Sequence, residues 1–265
     1  MSTDGYAGPQ SGRDVGRYFG GISLREVGHH HVEGTADAAD HLRAPDGGVR
    51  FGALLTILDS VGGLCTGLSA LPDGWVVSTN LTGRTITRRH VGPFHIDAKV
   101  LRSGKNAAIA KVRIFDQGTD DTLVMDGVLT SAILVPENGP PQWTRPLTIE
   151  RQDAFVDPLP MDEFLAVRTV DDGVEIELAE GLRNPWGFLH GGVVAALADT
   201  AAVHAVGGVT TDLVLHFLSP NRVGPVRAIP RRIGSRSDGE VVRVELQDVG
   251  ADRITAVAIA TVSSV

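Results

Sequence analysis

Gly181–Thr200 reads GLRNPWGFLHGGVVAALADT, and His41–Ser60 reads HLRAPDGGVRFGALLTILDS. The two stretches align without a gap, the second starting 140 positions after the first (41 to 181). Leu42, Arg43, Pro45, Gly47, Gly52 and Asp59 are matched by Leu182, Arg183, Pro185, Gly187, Gly192 and Asp199. Most of these identities fall on residue types with structural meaning, and repeats of this kind decide an architecture.

The match resumes downstream at an offset of 132 (91 to 223), where Val91-Gly92-Pro93 meets Val223-Gly224-Pro225. Asp116 and Gly118 meet Asp248 and Gly250. The chain of 265 residues therefore reads as two related halves of ordinary domain size. The expected division is a flexible N-terminus over 1–18, a first domain over 19–135, a linker over 136–147 and a second domain over 148–265. The linker expectation rests on PENGPPQWTR at Pro136–Arg145, rich in proline and polar residues.

Each half is expected to carry one apolar helix, about Phe51–Leu68 and Gly191–Val206. In the first half strands are predicted near 76–87, 95–102, 107–116 and 123–134. In the second they are predicted at 164–170, 174–178, 211–218, 226–233, 240–247 and 254–262, many with β-branched residues in partial alternation. A helix that is apolar all round must be enclosed by protein. The predicted class is α+β, with two antiparallel sheets each wrapped around one helix.

Composition narrows the function. Lys and Arg number 24 against 32 Asp and Glu, a formal charge of -8, which argues against a nucleic-acid partner. The lone Cys65 excludes an intramolecular disulfide and a thiolate metal cluster. Met1–Asp14 lacks a basic start followed by an apolar core, so no signal peptide is expected. The apolar run Gly191–Val209 is broken by Asp199 and His204, no membrane span is expected, and the cytoplasm is the expected compartment.

The run Asn184-Pro185-Trp186-Gly187-Phe188-Leu189-His190-Gly191-Gly192, followed by Asp199-Thr200, resembles the N-x-x-G-x-x-H-G-G-x(6)-D-T pattern of hotdog-fold acyl-CoA thioesterases, nearest to the phenylacetyl-CoA thioesterases. The resemblance covers nearly the whole chain in two copies and implies a double hotdog paired as a pseudo-dimer. The first copy is degenerate: Ala44, Arg50 and Phe51 stand where Asn184, His190 and Gly191 do. The implied activity is hydrolysis of an acyl-CoA thioester, with coenzyme A present only as part of the substrate, no cofactor, no metal, and homo-oligomers of the double unit.

Gly191 and Gly192 open a helix, where unpaired N–H groups and the helix dipole suit a developing oxyanion. Asn184 could bind the carbonyl or the attacking water. The Asp would serve as general base or as nucleophile. Gly191 and Asp199 are eight residues apart on one helix, about 12 Å along its axis, so one carbonyl cannot touch both. The working site should therefore join Asn184, His190 and Gly191 to Asp59 of the other half, with Gly192, Gly187 and Thr66 as substrate-binding residues. A secondary, weak or dead site should join Ala44, Arg50 and Phe51 to Asp199, lacking the Asn and the first Gly. Position 63, four after Asp59, is a glycine where the resembling family often has a hydroxyl, leaving Thr66 and Ser60 as substitutes.

Other readings compete. Asp59 could cap a loop or pair with an arginine, and His190 could be a structural holder of its loop. The triplet His29-His30-His31 is poorly spaced for a metal if it lies along a strand. Candidate phosphate partners are Arg88-Arg89, Arg102 with Lys105, and Arg231-Arg232 with Arg236. The rival functions are a non-catalytic acyl-CoA sensor and an enoyl-thioester hydratase or dehydratase.

Overall fold

The computed structural model describes residues 15–137, 139–151, 155 and 157–264. The first half comprises α1 (Val15–Tyr18), β1 (Ser23–Gly28), β2 (His31–Ala36), α2 (Phe51–Ala70), β3 (Trp75–Thr85), β4 (Phe94–Ser103), β5 (Ala107–Asp116) and β6 (Thr122–Leu134). The rest comprises β7 (Thr148–Ile149), α3 (Met161–Phe164), β8 (Arg168–Val170), β9 (Gly173–Ile176), α4 (Gly191–Val206), β10 (Val209–Phe217), β11 (Val226–Arg236), β12 (Gly239–Asp248) and β13 (Arg253–Ser263). Of the expected flexible N-terminus, residues 1–14 lie outside the described residues, while Val15 and Tyr18 are buried.

The strands form one antiparallel sheet of 13, in the order β7-β1-β2-β4-β5-β6-β3-β10-β13-β12-β11-β9-β8. This corrects the expectation of two sheets. β3 and β10 pair directly, Asp212 opposite Arg84 through His216 opposite Asn80, so the ladder runs unbroken across the middle. Outward from that seam the order repeats: β3-β6-β5-β4-β2-β1 on one side, β10-β13-β12-β11-β9-β8 on the other. Thr148–Ile149, expected to begin the second domain, pairs with Leu24 and Arg25 of β1 at the first half's edge.

The long strands follow the predicted pattern to within a few residues. Two differences have physical causes. Phe164, expected to start a strand, ends the short helix α3, whose first turn carries Asp162 and Glu163, a placement the helix dipole favours. His29 and His30 form the turn between β1 and β2, with His30 at φ 61 and the two rings stacked 3.7 Å apart. The triplet therefore does not lie along one strand, and His31 bonds Asp97 at 2.7 Å.

The helix α2 is long and apolar enough, by length and composition alone, to cross a membrane, but most of it is buried in this fold. The sheet wraps it on one side and α4 packs on the other. The two helices touch at their starts. A methyl on Gly52 would stand 2.8 Å from Ala196 Cα, and one on Gly192 would stand 2.6 Å from Thr56 Cα. Thr56 Oγ1 donates both to Gly52 O at 2.8 Å and to Gly192 O at 2.9 Å, so one hydroxyl ties the first turns together.

The repeat identities have local jobs. Arg43 donates to Gly47 O, His90 O and Ala38 O, and Arg183 donates to Gly187 O and Leu178 O, so each arginine clamps the turn before its helix. Gly47 and Gly187 take φ 84 and 79, which only glycine adopts cheaply. Asp116 accepts from the N–H groups of Val91, Gly92 and Gly118, and Asp248 accepts from those of Arg222, Val223 and Gly224. Burial pushes the Asp248 carboxyl up, but these backbone donors outweigh it and hold the group below its ordinary range.

Gly52→Ala tests the helix contact. An alanine is normally the better helix former by about 1 kcal/mol. Here its methyl meets backbone, and the expected outcome is a loss of about 1–3 kcal/mol in urea unfolding.

Candidate active site

The start of α4 and the middle of α2 meet at one carboxylate. Asp59 Oδ2 accepts the Gly192 N–H at 2.7 Å, and Asp59 Oδ1 accepts the Ser78 hydroxyl of β3 at 2.7 Å. A methyl on Gly191 would stand 2.9 Å from Asp59 Oδ2, so the absence of a side chain there lets the carboxylate reach the helix start. His190 caps the helix: its Nδ1 accepts the Gly192 N–H at 3.0 Å and lies 3.4 Å from Asp59 Oδ2. The His190 side chain is 20% exposed against 5% for Asp59, which puts the mouth of the site on the histidine side. Gly191 is the first residue of the helix, where an N–H has no intrahelical partner.

Asn184 stands beneath this arrangement. Its Oδ1 accepts from the N–H groups of Trp186 at 3.0 Å and Phe188 at 3.1 Å, holding the turn that delivers His190. That oxygen is thus committed to the loop. Gly187 is the left-handed residue of the same turn, and a methyl added to it would meet nothing within 4 Å.

Two expected residues are elsewhere. Thr66 is two turns further along α2, fully buried, its hydroxyl bonded to Gly62 O and 2.9 Å from Ser131 Oγ. Ser60 turns its hydroxyl back to Thr56 O. The hydroxyl beside Asp59 is that of Ser78, which sequence reading missed. Thr210 occupies the matching position at the offset of 132, so a hydroxyl in both copies was the available signal.

The second carboxylate is built differently. Asp199 Oδ2 accepts the Gly52 N–H at 2.8 Å, the mirror of Asp59 with Gly192. Asp199 Oδ1 and Thr210 Oγ1 are buried and make no hydrogen bond of ordinary geometry, although the Thr210 hydroxyl is near enough to favour the charged Asp199 carboxylate, as Ser78 is placed on Asp59. Arg50 takes the place of His190 and donates to Asp162 Oδ1 at 2.8 Å and Thr200 Oγ1 at 3.0 Å. Phe51 takes the place of Gly191 and is buried. Complete burial pushes the Asp199 carboxyl above its ordinary range, and the charge of Arg50 opposes this only in part.

The basic clusters divide by partner. Arg88 grips Asp46 with two nitrogens, Arg232 pairs with Glu240, and Arg236 pairs with Asp238 at 2.8 Å. Arg89, Arg102 and Lys105 are exposed. Arg222, also exposed, holds its guanidinium 4.3 Å over the ring of Phe188, two residues before His190. Leu189 N–H bonds Asn221 O at 3.3 Å, joining that arginine's loop to the His190 loop.

No protein-family model and no curated protein sequence matches this chain. Solved structures do. A protein of unknown function with a hot dog fold from Alicyclobacillus acidocaldarius superposes with a TM-score of 0.61 at 15% identity, covering 94% of this chain and 97% of its own. The 12:0-ACP thioesterase of Umbellularia californica gives 0.61 at 11% identity, over 88% and 93%. A protein from Novosphingobium aromaticivorans, provisionally named a thioesterase, gives 0.56 at 17% identity, over 88% and 95%. The chain thus has a hotdog fold, the fold of proteins named thioesterases.

The effect of burial on Asp199 is testable by pH. A carboxyl whose folded pKa lies above its ordinary 3.8 contributes stability that is complete below that value and is lost as pH rises through the folded pKa. Asp199→Asn keeps an acceptor for the Gly52 N–H without the charge. Its Tm should gain on the wild type as pH rises from about 4 to about 8, in thermal scans at matched ionic strength.

Proposed function

We propose that this chain is an acyl-CoA thioesterase, a tandem hotdog whose halves pair as a pseudo-dimer and share one working site. The observation that carries the reading is the 2.7 Å contact between the Asp59 carboxylate of one half and the Gly192 N–H at the helix start of the other. Carboxylate and helix start then face one small volume, as hydrolysis of a thioester needs.

In this reading the thioester carbonyl oxygen points at the Gly191 N–H, where the helix dipole stabilises the oxyanion as it forms. Asp59 delivers oxygen to the carbonyl carbon, either by taking a proton from water or by attacking directly to form an anhydride that water then opens. Collapse of the tetrahedral species breaks the C–S bond; in the first route the thiolate takes the proton Asp59 removed from water, and in the second it leaves as the anion and is protonated by solvent. Ser78 fixes one Asp59 oxygen, and His190 holds the helix start at the mouth. Asn184 acts through the loop it braces, with its amide NH2 left to face substrate. Arg222 on Phe188 suits a phosphate of coenzyme A. No metal or redox group takes part.

Asp59→Asn should lower kcat for acyl-CoA hydrolysis by about a hundredfold or more, since general-base catalysis supplies factors of that order. Asp199→Asn should keep most of the activity, followed by release of free thiol. The opposite ranking would overturn the assignment, and saturable binding of acyl-CoA without thiol release would favour a sensor. Hydration of an enoyl-CoA, followed by its absorbance, would favour a hydratase. Single turnover in oxygen-18 water detects direct attack where water opens the anhydride at the aspartyl carbonyl: label then appears in Asp59, which the general-base route never labels.

A further inference from the structure

Position 63 lies four residues after Asp59 and position 67 eight after it, so all three share one face of α2. A methyl on Gly63 would meet nothing within 4 Å, which is open space one turn beyond the carboxylate. One turn further the space is closed: a methyl on Gly67 would stand 2.5 Å from the Trp75 indole. Trp143, from the segment joining the halves, packs edge-on against Trp75 with ring centroids 4.9 Å apart. On the far side Trp186 donates its indole N–H to Val76 O at 3.0 Å, so the loop of the second half reaches over the strand between Trp75 and Ser78. Of the chain's three tryptophans, Trp75 closes the track at Gly67, Trp143 packs behind Trp75, and Trp186 is tied to the backbone of the next residue, Val76. In the other half Val203 occupies the position of Gly63.

Building on the thioesterase reading, we propose that the track from Asp59 over Gly63 to Trp75 is the acyl subsite, and that it takes a short or single-ring acyl group. The His190 side is polar and partly exposed, which suits the coenzyme end, while the Trp75 end is apolar and blocked. Asp59 to Gly67 spans about 12 Å of helix, and contact distances of about 3.5 Å at each end leave room for on the order of five carbon atoms or one six-membered ring.

The test uses acetyl-, hexanoyl-, benzoyl- and dodecanoyl-CoA on the full chain. The wild type should hydrolyse hexanoyl- or benzoyl-CoA with a kcat/KM at least about tenfold above that for dodecanoyl-CoA, a discrimination within reach of a hydrophobic pocket. Trp75→Ala should shift the hexanoyl-to-dodecanoyl ratio toward the longer chain by about tenfold, and Trp75→Phe should do so more weakly. Gly63→Val should lower hexanoyl turnover more than acetyl turnover while raising Tm, because glycine inside a helix is costly. In Asp59→Asn, hexanoyl-CoA should change tryptophan emission where coenzyme A alone does not. Equal wild-type turnover of hexanoyl and dodecanoyl thioesters, a ratio unmoved by both Trp75 variants, or emission unmoved by saturating hexanoyl-CoA would each overturn the subsite. Absence of hydrolysis with every thioester would instead overturn the thioesterase reading, and the emission titration would still decide the subsite.

Discussion

The molecule depends on a carboxylate from each central helix seated on the N-terminus of the other. Asp59 accepts the Gly192 N–H, and Asp199 accepts the Gly52 N–H, at 2.7 and 2.8 Å. A buried carboxylate is expensive unless hydrogen-bonded, and an unpaired helix N–H carries partial positive charge. Each contact offsets two costs at once. The geometry also demands glycine at both helix starts, because any side chain would push the backbones apart. Thr56, bridging Gly52 O and Gly192 O, adds a hydrogen bond at the same crossing.

Reciprocity of the frame leaves the surroundings free to diverge. Around Asp59 the neighbours are small or polar: Gly191, Ser78, His190 and the open position at Gly63. Around Asp199 they are Thr210, the counterpart of Ser78, with the larger Phe51, Arg50 and Val203, and with Asp162 and Thr200 occupying the arginine. One carboxylate keeps a way out past a histidine, and the other is sealed and held toward its neutral form by burial. The same helix contact is therefore bordered by small and polar groups on one side and by a sealed, bulkier surrounding on the other.

Much of the fold was legible because its punctuation is repeated. The Arg43 and Arg183 clamps, the left-handed Gly47 and Gly187, and the three-donor cradles of Asp116 and Asp248 all appear as identities at two offsets. Periodicity located α4 at Gly191–Val206 and found the long strands. It failed where the outcome depends on distant packing. The β1 and β2 hairpin, with its turn at His29-His30, was missed because a polar edge hairpin carries little apolar alternation. Phe164 reads as the start of a strand, yet it packs in a stack with Tyr18, ring centroids 3.5 Å apart, at the end of a short helix.

The sequence by itself showed the internal repeat and the two apolar helices, and pointed to Asp59 as the carboxylate that meets the helix start at Gly191. Spacing alone forbids a helix from placing both groups at one carbonyl. Only the tertiary structure decided that the sheet is continuous, because edge pairing between β3 and β10 is backbone hydrogen bonding that no side-chain pattern records. It alone brought Ser78 rather than Thr66 to Asp59, since that choice depends on which strand lies against which face of the helix. It likewise decided that Asn184 braces its own turn, that Trp75 packs on Gly67 and Trp143, and that Trp186 reaches the backbone of Val76 beside Trp75.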